Sequence, residues 1–118
     1  MTKMENSKKY DLEERTLKFA RQVREFVYKL NKNIITIEDC KQLVRSSGSV
    51  GANYIEANEA LSKKDFVMRI KICRKEAKES SYWLKLINSP QLQNEKLDLE
   101  RESVELTNIF GAILRKSE

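Results

Sequence analysis

The chain has 118 residues, enough for one domain with a real hydrophobic core. Three glycines, one proline and 35% charged residues exclude a sandwich or barrel of many short strands and favour a few long helices. A formal charge of +5 admits a polyanionic partner, while the absence of histidine removes Ser-His and Cys-His nucleophiles, His-containing zinc sites and the Glu-x-x-His pair of di-iron bundles.

Residues 1–10 are polar and are expected to form a flexible N-terminus ahead of a bundle domain over 11–118. They carry no apolar stretch of signal-peptide type, and no run approaches the ~18 apolar residues of a membrane span, so a soluble cytoplasmic protein is expected. Asp11 is placed to cap a first helix reaching Leu30. Leu12, Phe19, Ala20, Val23, Phe26, Val27 and Leu30 form its apolar side. Arg15, Lys18, Arg21, Arg24 and Lys29 fill much of the rest, which reads as a solvated face or as part of a binding surface.

After a break at Asn31 to Asn33, the second helix is expected to follow Thr36, with Glu38 and Asp39 in its first turn. Its buried stripe is Ile37, Cys40, Leu43, Val44, Ser47, Val50, Tyr54, Ala57 and Leu61. The run Ser46-Ser47-Gly48-Ser49-Val50-Gly51-Ala52 has one bulky side chain. Gly48 and Gly51 together cost an isolated helix about 2 kcal/mol relative to alanine, so close approach of a neighbouring helix or subunit is expected there. The spacing of a phosphate-binding loop is missing.

The third helix, Ser62 to Ile87, has two contrasting faces. Phe66, Ile70, Cys73, Ala77, Ser80, Leu84 and Ile87 form a seam for burial, and Ser62 with Asp65 resembles a capping box. Lys64, Lys71, Lys75, Lys78, Tyr82 and Lys85 share a different face. Residues 62–88 hold eight Lys or Arg against three acids, so the positive charge concentrates here. Met68, Ile72 and Trp83 lie off the main seam; burial against another subunit is the reading favoured, with a boundary core position the alternative for Trp83.

Asn88-Ser89-Pro90 ends this helix, and Ser89 with Pro90 is suited to opening a short turn of the next. The fourth helix is expected over about Asn94 to Arg115, with Leu97, Leu99, Leu106, Ile109, Phe110, Ile113 and Leu114 on its apolar side and Val104 between. Short connections make neighbours antiparallel, so the fold expected is an all-α up-down-up-down four-helix bundle.

Glu56 with Glu59, and Glu76 with Glu79, are carboxylate pairs one turn apart. At this charge density they read as solvated or ion-paired, with Glu76 and Glu79 near Arg69, Lys75 and Lys78, and no enzyme activity is expected. Cys40 and Cys73 read as buried free thiols. No catalytic residue, cofactor or metal site is indicated. The basic stripe is the remaining functional candidate: lysines along one helix face can track phosphates and Tyr82 can stack on a base. Solvation of a helix is the competing reading of the same residues.

The stretch Arg45-Ser46-Ser47-Gly48-Ser49-Val50-Gly51-Ala52-Asn53-Tyr54-Ile55-Glu56-Ala57, then Phe66, Arg69 and KICRKEAKESSYWLKLI, resembles the four-helix-bundle proteins encoded in intervening sequences of bacterial 23S rRNA genes. Many members carry Asn-Ile-Ala-Glu-Gly where this chain has Asn53-Tyr54-Ile55-Glu56-Ala57, which points to a subgroup. The resemblance implies a homopentamer, and the family is similar to the accessory protein of diversity-generating retroelements, a basic pentamer that binds nucleic acid and a reverse transcriptase.

Together these features favour a non-catalytic oligomer that binds RNA or DNA through backbone phosphates. Lys64, Lys71, Lys75, Lys78 and Lys85 are the expected phosphate contacts, with Arg69 and Arg74 assisting and Tyr82 stacking. Gly48, Gly51, Met68, Ile72 and Trp83 are the expected oligomer interface. The alternative is an oligomeric protein–protein scaffold without nucleic-acid affinity. For Arg69 and Arg74, interface ion pairs between subunits are the competing role.

Overall fold

A computed structural model describes residues 3–117, with side chains placed over 12–117. The helices are α1 (Lys3–Lys29), α2 (Ile34–Asn58), α3 (Lys63–Leu86) and α4 (Gln93–Ser117), and a 3-10 turn, Pro90–Leu92, leads into α4. Helix α1 therefore begins N-terminal to Asp11, the start expected from the sequence. Its neighbours are α2 and α4, and α3 packs between the same two helices, closing a four-helix bundle 47 Å long and 26 × 19 Å across. Among the described residues no helix is long and apolar enough to cross a membrane.

Local chemistry accounts for where the helices start. Ser62 caps α3 by accepting a hydrogen bond from the Asp65 N–H at 3.0 Å, the forward half of the expected capping box. Helix α2 starts earlier than expected. The Asn33 side chain, extended at the cap position, accepts from the Thr36 N–H at 2.9 Å and from its hydroxyl at 3.1 Å. Asparagine is as good a cap as any residue, so it pre-empts threonine. The added turn leaves Ile34, Ile35 and Ile37 exposed, and Ile37 therefore does not join the core. Leu61 lies in the α2–α3 connection and is 99% exposed, not buried as its spacing suggested. Leu97 and Val104 of α4 are also exposed.

The third helix is buried as its periodicity indicated: Ile70, Cys73, Ala77, Ser80, Leu84 and Ile87 are buried and Phe66 is partly so. They meet Phe19, Val23 and Phe26 of α1, Leu43 and Val50 of α2, and Leu106 and Phe110 of α4 in one core. The Tyr54 and Phe110 rings sit 5.9 Å apart at a tilt of 56°, an arrangement that suits their quadrupoles.

Small polar residues set two of the interhelix contacts. Ser46 and Ser80, both fully buried, share a 2.8 Å hydrogen bond that lets α2 and α3 approach closely without an orphaned hydroxyl. A Cβ on Gly51 would stand 2.9 Å from Thr16 Oγ1 and 3.2 Å from Thr16 Cβ. That glycine exists because α1 of the same chain passes against it. At the α1–α4 contact Arg15 donates twice to Glu102, each bond 2.8 Å, a fork geometry that fixes register. Hydrogen bonding to Glu102 raises the Arg15 pKa further above its already high value.

Candidate nucleic-acid interface

Helix α3 turns its seam inward and so presents the opposite face to solvent. Lys64, Lys71, Arg74, Lys75, Lys78, Tyr82 and Lys85 are all exposed on it. From Lys64 to Tyr82 the row runs about 27 Å at 1.5 Å per residue. Lys71, Arg74, Lys75, Lys78, Glu79 and Tyr82 line an open groove of about 590 Å³ that reaches Leu114 of α4. Lys71 also borders a second hollow, about 720 Å³, lined by Lys63, Lys64, Asp65, Val67 and Met68. The row thus forms one continuous basic surface, and Lys85 continues it one turn beyond the groove.

The charges on this surface are not neutralised by their own helix. Helical spacing places Glu76 and Glu79 beside Arg69, Lys75 and Lys78, but both turn to α2. Arg45 reaches across with Nη1 3.0 Å from Glu76 and Nη2 3.0 Å from Glu79. Glu76 is only 6% exposed, and its hydrogen bond with Arg45 is the main cause that raises the Arg45 pKa. A buried carboxylate needs a hydrogen-bonded partner, and α2 supplies the one in reach. Among the described residues none of Lys64, Lys71, Arg74, Lys75, Lys78 and Lys85 makes an ion pair within 4 Å.

Arg69 does not belong to this row. It is partly buried toward α2 and donates to Asn53 Oδ1 at 3.0 Å. Arg74 sits at the side of the row nearest α4, in the groove lining with Leu114. Leu114 is buried in the core, as its helical spacing predicts, and also contributes to the groove lining.

The residues expected at an oligomer interface separate. Gly51 packs on Thr16, and a Cβ on Gly48 would meet the Arg24 guanidinium at 3.2 Å, so both glycines have neighbours within their own chain. They also line an apolar hollow of about 380 Å³ between α1 and α2, with Leu17, Ala20, Ala52 and Ile55. Met68 is exposed, whereas Ile72 and Trp83 are partly buried and Trp83 packs against the core. The Trp83 indole N–H is enclosed and has no hydrogen-bond acceptor. Its ring meets Tyr82 edge to face at 5.1 Å and 75°.

Both cysteines are free and buried. Burial pushes the Cys73 thiol up to about 12 and raises that of Cys40. Each is held protonated at neutral pH, in the inert form of the side chain.

Fold and surface together define a four-helix bundle with one strongly basic face. The family model of the 23S rRNA-intervening sequence proteins matches residues 8–112, and the chain belongs to that family. It is similar to a crystal structure from Bacteroides thetaiotaomicron, a protein of unknown function from the S23 ribosomal protein family. The two are 26% identical with a TM-score of 0.73, over 86% of this chain and 96% of that one. No functionally curated protein matches the chain.

Proposed function

We propose that this protein is a non-catalytic, cytoplasmic, oligomeric bundle that binds RNA or DNA through backbone phosphates on the outer face of α3. The observation that carries the reading is the row of exposed cations from Lys64 to Lys85, left without acidic partners because Arg45 holds Glu76 and Glu79. The names of the matched family and of the Bacteroides protein's family, which refer to ribosomal RNA and ribosomal protein, agree with a polyanion partner. Assembly into a homo-oligomer, a pentamer by family resemblance, would repeat the row on each copy and add weak contacts by multivalency.

The test is binding to a labelled RNA strand and a DNA duplex across a salt series, for wild type and the Lys71→Glu, Lys75→Glu, Lys78→Glu triple variant. Each phosphate contact adds about 0.7 to 0.9 to the log–log salt slope, so losing three flattens it by about 2 to 3. Affinity should fall steeply with salt and vanish in a variant that keeps its fold and assembly. Absence of binding at low salt would refute the proposal. It would favour the second reading, a protein scaffold, which the apolar α1–α2 hollow with exposed Leu17 and Ile55 supports.

A further inference from the structure

Resting on the phosphate-binding reading above, we infer that the preferred ligand is single-stranded nucleic acid, with one unpaired base held in the α3–α4 groove against Tyr82. Three observations converge on it. The first is steric. A helix that reads duplex DNA lies within the major groove, which is about 12 Å wide and just admits a single helix of about 10–12 Å. Helix α3 is packed between α2 and α4, and the bundle measures 26 × 19 Å across its short axes. With α2 and α4 flanking it along its length, α3 has its basic face set to follow the phosphates of a duplex, where every base is already stacked and paired.

The second observation is the composition of the groove. Lys71, Arg74, Lys75 and Lys78 line it, but so does Leu114, an otherwise buried core residue that is 4% exposed. Ammonium and guanidinium groups beside an apolar floor match a nucleotide that offers phosphate on one side and a flat base on the other. The lining carboxylate, Glu79, is held by Arg45 at 3.0 Å, which offsets its charge toward an incoming phosphate.

The third is Tyr82 itself. Tyr82 is 56% exposed, yet its ring is braced edge to face against Trp83 at 5.1 Å, and Trp83 is partly buried and packs against the core. An exposed ring held in place stacks on a base with little entropy left to lose. A duplex docked from outside would leave both Tyr82 and Leu114 unused.

The experiment uses the full-length protein and fluorescence anisotropy with short labelled RNA and DNA strands, the same strands annealed to their complements, and strands carrying abasic sites. Wild type should bind a single strand about tenfold or more tightly than its duplex. Abasic strands, and separately the Tyr82→Ala variant, should lose about tenfold on single strands, the scale of one stacked base. Duplex affinity should not respond to Tyr82→Ala, and Tyr82→Phe, which keeps the ring, should behave as wild type. Tight binding of either RNA or DNA strands supports the inference, and the ratio between them identifies the sugar preferred. Equal affinity for strand, duplex and abasic strand, with Tyr82→Ala silent, would overturn the base site and leave phosphate binding standing. No binding to any probe would overturn both.

Discussion

Gly48 and Gly51 lie one turn apart on α2, and their replacement by alanine should have opposite effects. In each case alanine gains about 1 kcal/mol of helix propensity. At Gly51 the new methyl would sit 2.9 Å from Thr16 Oγ1, 3.2 Å from its Cβ and 3.7 Å from its backbone carbon. Thr16 cannot swing aside: it is fully buried, and its hydroxyl hydrogen-bonds the Leu12 carbonyl at 2.9 Å with the Glu13 carbonyl at 3.0 Å. Helix α1 must then move as a unit, and overpacking of this kind costs about 1–3 kcal/mol. The net for Gly51→Ala is a loss of up to about 2 kcal/mol, a Tm lower by up to roughly 8 °C for a domain of this size. At Gly48 the neighbour is the far end of the Arg24 side chain, 3.2 Å away, which can rotate into solvent. Gly48→Ala should therefore raise Tm by about 2–4 °C. Thermal unfolding by circular dichroism at one fixed protein concentration reads both signs. Thr16→Ala added to Gly51→Ala removes the 2.9 Å contact and should recover part of the loss. If Gly51→Ala raised Tm as Gly48→Ala does, the α1 packing argument would fail.

Further outcomes follow from the ion pairs and the thiols. Glu76→Ala should destabilise by about 1–2 kcal/mol in urea unfolding; the carboxylate is buried, but Arg45 can return to water, which keeps the cost below the ~3–5 kcal/mol of a fully buried pair. On the proposed phosphate-binding reading, the same change should leave nucleic-acid affinity close to wild type; a marked rise would mean that Glu76 neutralises Lys75 or Lys78 and would contradict its pairing with Arg45. The Cys73 thiol is raised by burial from its ordinary value to about 12, so the unfolded chain loses this proton first as pH rises. Cys73 should thus leave stability untouched below about pH 8 and erode it progressively from about pH 9 to 12. Unfolding of Cys73→Ala over that range should show a shallower alkaline slope, and an identical slope would refute the assignment. Both thiols should react with a thiol reagent at pH 8 only as fast as the chain opens.

Much of this molecule is legible along single helices. The α3 seam, the Ser62 cap, the stop at Asn88 to Pro90 and the exposed row from Lys64 to Lys85 all depend on residues within a few turns of one another, and helix geometry relates such residues whatever surrounds them. The family pattern is equally a property of the linear chain. Tertiary structure decided everything that depends on which helix lies opposite. Arg45, not Lys75 or Lys78, neutralises Glu76 and Glu79, because α2 and α3 run antiparallel in the register set by Ser46 and Ser80. Arg69 turns to Asn53 for the same reason, Gly51 answers to Thr16 across α1, and Leu114 becomes a groove floor only because α4 lies beside α3. A helix sequence sets which residues share a face; the residue that face will meet is chosen by the packing of two faces together, and that information lies in no single stretch of the chain.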